Sequence, residues 1–162
     1  QNKILNKDDI FRIYSMTKSI TTVAAMILYE EGFFQLQDPV HWYLPELKDV
    51  KVYAKIESDK WVYEKPARHM TIRDLMTHTS GLTYGLFGNT PVDNMYLAEK
   101  LFTGCESNTQ FYNKLVQLPL VFHLGEKWLY GVNTDILGYL VETISGVPLN
   151  EFFKERIFTP LA

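Results

Sequence analysis

The chain has 162 residues, of which 46% are hydrophobic and 14% aromatic: enough apolar material for a packed core and too much for a disordered segment. Its 16 basic and 19 acidic side chains are interspersed and sum to −3, so neither a polycationic face for nucleic acid nor a basic amphipathic face for a membrane is expected. The one cysteine, Cys105, excludes an intrachain disulfide; His41, His69, His78 and His123 are too scattered to suggest a metal motif, and no apolar run reaches the length of a membrane span.

In chain order, residues 8–14 read as a short extended lead-in. Beyond Ser15, the residues Ile20, Ala24, Ile27 and Leu28, flanked by Met16 and Val23, recur at helical spacing, and Gly32 supplies a left-handed stop. This helix is expected to be deeply buried. Prolines 39 and 45 punctuate the connection that follows, and residues 51–65 alternate in polarity around Glu57-Ser-Asp-Lys60, predicting a small β-hairpin. Thr71-Ile-Arg-Asp74 has the form of a capping box for a helix running to about Thr79 and stopped by Gly81.

The glycine-containing loop Tyr84-Gly-Leu-Phe-Gly88 then breaks regular structure, and helices are predicted near 92–103 and 109–118. Trp128 and Tyr130 sit in a loop before a helix capped by Asn133 or Thr134, with Ile136, Leu137, Leu140, Val141 and Ile144 on one side and Gly146 at its end. A last helix carries Phe152, Phe153 and Ile157. No internal repeat appears, and the linkers are too short to separate domains.

The chemistry begins at Ser15-Met16-Thr17-Lys18. Residues i and i+3 of a helix share a face, with Cβ atoms about 5–6 Å apart, so a lysine there reaches a serine hydroxyl one turn earlier. At a helix start the unpaired N–H groups and the dipole favour a developing oxyanion, and burial favours the neutral, basic form of a lysine. Taken alone, this spacing is equally that of a capping serine with a solvated lysine, because about one such match is expected by chance in a chain of this size.

Further blocks change that weighting. Ile10-Phe-Arg-Ile-Tyr-Ser15-Met-Thr-Lys18-Ser, Met70-Thr-Ile-Arg-Asp-Leu-Met-Thr-His-Thr-Ser-Gly-Leu82, Trp128-Leu-Tyr130-Gly-Val-Asn-Thr-Asp-Ile-Leu-Gly138 and Glu155-Arg-Ile-Phe-Thr-Pro-Leu161 occur in this order. Together they resemble the serine β-lactamase-like family, and within it most closely the family VIII carboxylesterases, relatives of class C β-lactamases and DD-peptidases. The resemblance implies an α+β, β-lactamase/transpeptidase-like fold of which residues 1–162 form a partial domain: the serine helix and the helical region, without most of the antiparallel sheet and its C-terminal strands. It also implies a nucleophile at Ser15, a lysine partner at Lys18 and the tyrosine of the second motif at Tyr130.

Lysine and tyrosine both have ordinary pKa values of about 10, so each serves as a base near neutrality only through the other's charge and burial. The relatives that cleave β-lactams carry Tyr-x-Asn, whereas here Val132 takes the third position and the asparagine arrives one residue later. Asn133 is therefore a candidate for substrate binding or only a helix cap, and Trp128 a second candidate for substrate binding. Ser80 and His78 are assigned to structure.

The expectation is a serine hydrolase acting through an acyl-enzyme on an ester or amide, first a carboxylesterase, second a penicillin-recognising enzyme. A non-catalytic binding protein of the same fold is the alternative from another class. No metal or organic cofactor is expected; the partners are a small-molecule ester or β-lactam-like substrate and the missing C-terminal segment of the fold. Gln1 reads as a point inside a fold and not a natural start, which leaves the compartment open.

Overall fold

In the computed structural model the described residues are 4–58 and 60–161. The lead-in before Ser15 is irregular, with one turn closed by Asp9 N donating to Asn6 O at 3.2 Å. A 3₁₀ turn, Tyr14–Met16, opens directly into α1, Thr17–Glu30, and Gly32 (φ +80°) ends that helix as expected.

The core is built on α1 and α5, Asn133–Ser145. Ala24, Ala25 and Leu28 from α1 and Ile136, Leu137, Leu140 and Val141 from α5 are all buried. Small residues bring the two helices together: Thr21 Cγ2 lies 3.5 Å from where a Cβ on Gly138 would stand. A core side chain such as Leu140 is worth about 2–5 kcal/mol against alanine in such a setting.

Within the described residues α1 is covered on one side, by α5. Ile20 and Ile27 are half-buried, while Val23 is 48% and Met16 70% exposed. The apolar pattern of α1 extends past the face that α5 covers.

Thr71 caps α2, Ile72–Met76: its Oγ1 accepts from Asp74 N at 3.3 Å, and Asp74 Oδ2 accepts from Thr71 N at 2.9 Å. This helix stops at Met76, short of the expected Thr79, because His78 already has φ +56°. Helix α3, Pro91–Ala98, starts with a second capping box between Thr90 and Asp93, and α4, Asn108–Leu115, is capped by Ser107. Helix α6, Leu149–Phe153, passes through a π-helical turn, Lys154–Phe158, into α7, Thr159–Leu161.

The hairpin is present as β1, Val52–Glu57, and β2, Lys60–Glu64, paired antiparallel from Val52↔Glu64 to Glu57↔Lys60 with a bulge between Tyr53 and Lys55. Its expected turn includes Asp59, which lies outside the described residues. Among the described residues these are the only two strands, and Val52 attaches them to the core through a parallel bridge to Leu120.

Candidate active site

Ser15 stands at the open start of α1, preceded by Tyr14 with φ +45°, a left-handed conformation that is uncommon for a tyrosine. Tyr130, on the loop entering α5, donates its hydroxyl to Ser15 Oγ at 2.7 Å. Residues 115 apart in sequence are thus within proton-transfer reach.

Lys18 is on the first turn of α1, but its hydrogen bond does not go to Ser15. Nζ donates to Tyr84 Oη at 2.7 Å, and it lies 5.3 Å from the ring centroids of both Tyr84 and Tyr130. Tyr84 in turn donates to Asp135 Oδ2 at 3.2 Å, so a chain runs from Lys18 through Tyr84 to the first turn of α5.

Burial, and then the Asp135 charge and hydrogen bond, push the Tyr84 phenol well above its ordinary pKa, so it stays protonated and can donate. Asp135 keeps an exposed edge, yet the protein mass around its carboxylate desolvates it and raises its pKa, against the opposite pulls of Lys18 and Tyr84. Sequence reasoning passed over both residues, placing Tyr84 only in a structure-breaking loop and Asp135 only in a helical turn. The one signal was position: Asp135 lies in the first turn of the helix that the Tyr130 loop enters.

Aromatic rings surround this cluster. Trp128 stacks beside Tyr130 at 6.3 Å, Tyr84 and Tyr130 are 5.4 Å apart, and Phe87 and Phe102 approach Tyr84 at 6.2 and 5.4 Å. Trp128 is 67% exposed and Phe87 73%, leaving apolar rings open beside Tyr130.

Asn133 faces the other way. It is fully buried, its Oδ1 accepts a short hydrogen bond from the Ser80 hydroxyl, and its Nδ2 lies 3.1 Å from His78 Nδ1. It occupies the first position of α5 but makes no capping bond, the cap position being Val132. The helix-cap role read for Asn133 is therefore corrected, and the side chain proposed for substrate binding is buried and engaged with Ser80 and His78.

A sequence model of the β-lactamase family matches residues 1–162. The chain belongs to the β-lactamase family. A Mycobacterium tuberculosis protein is 36% identical over 156 residues, 96% of this chain and 38% of that protein. The lovastatin esterase of Penicillium rubens is 32% identical over 166 residues, 95% of this chain and 38% of the esterase. Among solved structures, unliganded simvastatin synthase LovD of Aspergillus terreus superposes with a TM-score of 0.81 at 32% identity, covering 97% of this chain and 39% of that one.

The family's β-lactamase/transpeptidase-like fold is the one seen here, in a mainly helical portion with a two-stranded hairpin. Relatives in the family include esterases and acyltransferases. The chain spans about 38% of the length of the curated relatives it matches.

Proposed function

We propose that this chain carries the nucleophile and proton-transfer groups of a serine hydrolase that forms an acyl-enzyme on esters, a carboxylesterase. The observation that carries the reading is the 2.7 Å hydrogen bond between Tyr130 Oη and Ser15 Oγ, with Lys18 Nζ 5.3 Å from the centre of the same tyrosine ring. A binding module of this fold has no need to converge all three groups.

In the proposed reaction the phenol that donates to Ser15 at rest first gives up its proton to solvent, and the Lys18 ammonium beside its ring stabilises the phenolate; Ser15 Oγ then attacks the ester carbonyl as its proton passes to Tyr130 Oη. The tetrahedral intermediate then collapses as the C–O bond to the alcohol breaks, and Tyr130 Oη returns the proton to the departing alkoxide. Water attacks the acyl-enzyme by the reverse route. The N–H groups at the start of α1 supply positive potential at the oxyanion. Tyr84 and Asp135 act one step back by fixing Lys18, and Trp128 offers an apolar wall to the substrate.

An ester is favoured over a β-lactam by what stands after Tyr130. In the β-lactam-cleaving relatives that the sequence resembles, an asparagine two residues past the tyrosine binds the amide beside the ring. Here that position is Val132, fully buried, and the neighbouring amide of Asn133 is turned inward.

The test is labelling by a fluorophosphonate with peptide mapping, alongside turnover of p-nitrophenyl butyrate and nitrocefin by the full-length protein. Label on Ser15, lost in Ser15→Ala, and faster turnover of the aryl ester are expected. Label on Ser19 or Ser80, or faster turnover of nitrocefin, would overturn the reading.

A further inference from the structure

Resting on that reading, we propose that His78 is the positioning residue for Tyr130, itself locked by the buried Ser80–Asn133 pair, so that the turn at 77–82 sets where the phenol meets Ser15. The proposed hydrolytic scheme has no use for His78, Ser80 or Asn133, yet all three are tied to the segment that bears Tyr130.

His78 holds that segment from both sides of the tyrosine. Leu129 N donates to the His78 carbonyl at 2.9 Å, and Gly131 N approaches His78 Nδ1 at 3.5 Å. Between these two backbone ties the Tyr130 ring lies against the imidazole, with centroids 5.2 Å apart and planes at 34°. Trp128 packs near the same imidazole at 6.1 Å. A tyrosine gripped at its neighbours' backbone and on its ring has little freedom to swing away from Ser15.

The imidazole is oriented in turn. Ser80 Oγ donates to Asn133 Oδ1, which leaves the Asn133 NH₂ to face His78 Nδ1 at 3.1 Å and makes that nitrogen the acceptor. Ser80 Oγ also accepts from Leu82 N at 3.2 Å. Ser80 and Asn133 are fully buried, so an unmatched partner at either end has no water to turn to. Nδ1 therefore carries no proton, and the ring is fixed as the Nε2–H tautomer. Burial and then Lys18 lower the His78 pKa, which favours the neutral ring this arrangement needs.

The turn itself is shaped for the task. His78 sits at φ +56° and Gly81 at φ +79°, and a Cβ on Gly131 would collide with the Leu82 carbonyl. The loop and the tyrosine segment are thus in backbone contact, and a side chain at Gly131 would force them apart.

The experiment is a double-mutant cycle in the full-length protein, with p-nitrophenyl butyrate as substrate. His78→Phe and Asn133→Leu are each made alone and in a Tyr130→Phe background, with folding followed by circular dichroism. Ser80→Ala, which removes one hydroxyl, carries the cycle in place of Asn133→Leu where that variant does not fold.

A misplacement of about 1 Å costs as much as about a hundredfold in rate, so each single variant is expected to lower kcat about ten- to a hundredfold, with KM changed less than about twofold. In the Tyr130→Phe background the same changes are expected to lower the remaining rate less than about twofold, because the group they position is gone. Equal losses in both backgrounds, or no loss in the first, would overturn the inference while leaving the role of Tyr130 intact. A Tyr130→Phe protein with undiminished kcat would overturn the role of Tyr130 and this inference together.

Discussion

Replacing Tyr84 by phenylalanine tests the link that holds Lys18. The ring would stay in its contacts with Phe102 and Tyr130, each 5.4 Å away, and only the hydroxyl between Lys18 and Asp135 would go. The hydroxyl accepts from Lys18 Nζ at 2.7 Å, and its bond to Asp135 is the longer one at 3.2 Å, so the Lys18 contact is taken as the dominant loss. A hydrogen bond with an ionic partner contributes about 1.5–3 kcal/mol. If that free energy serves to hold Nζ in its working position, its loss lowers acylation about 10- to 150-fold. Stopped-flow release of p-nitrophenol reads the acylation step, and a thermal melt reads the fold. The expected signature is a slowed burst with a melting temperature within a few degrees of the parent. A folded Tyr84→Phe protein with a burst within twofold of the parent would refute the argument, placing Lys18 by helix geometry alone.

Lys18→Ala and Tyr130→Phe should each slow acylation by about two to four powers of ten, the usual contribution of a general base, while circular dichroism stays unchanged; near-normal turnover in both would discard the proton-transfer scheme. Asp74 accepts from Arg68 Nη1 and Nη2 at 2.6 and 2.8 Å and from Thr71 and Thr79, and Asp74→Asn should cost about 1.5 kcal/mol in urea unfolding, a low figure because Arg68 is 43% exposed. Burial alone would raise the Asp74 pKa, but Arg68 and Thr71 outweigh it and hold the folded value below the ordinary 3.8. The stability it contributes is therefore complete above the ordinary carboxylate pKa and is lost as pH falls through the lowered folded value; an acid-unfolding curve unchanged by Asp74→Asn would contradict this. Produced by itself, the 162-residue chain should self-associate and turn over esters poorly, because Ile10, Phe11, Tyr14 and Met16 around Ser15 are 99%, 62%, 78% and 70% exposed; a monomer in sedimentation with full turnover would show that this surface needs no cover.

The elements that sequence reading located best are those with local causes. The Thr71–Asp74 capping box, the left-handed stops at Gly32 and Gly146 and the apolar period of α5 are all decided within one or two helical turns, and each stands where the pattern put it. What covers α1 is not a local matter, because periodicity shows which residues are apolar but not what lies against them. The Met16 and Val23 side of that helix reads no differently from the Ala24 and Leu28 side, and only the position of α5 separates them.

The candidate site divides along the same line. Ser15 and Lys18 share one turn, and Tyr130 could be placed only by resemblance, since no local rule joins residues 115 apart. The contacts of Tyr84, His78 and Asn133 are beyond local reading for a different reason: they join segments far apart in sequence and depend on hydrogen-bond direction. An asparagine entering a helix is ordinarily a cap, and its side chain oxygen serves backbone N–H groups. At Asn133 the same oxygen is taken by Ser80, 53 residues earlier, which turns the amide toward His78 and away from the helix end. Displacement of the asparagine by one position thus changes more than which residue follows Tyr130. Val132 and Asn133 are both fully buried, and the amide at 133 is engaged with Ser80 and His78. In the proposed scheme the asparagine thereby serves the tyrosine loop as an internal anchor and not the substrate as a donor.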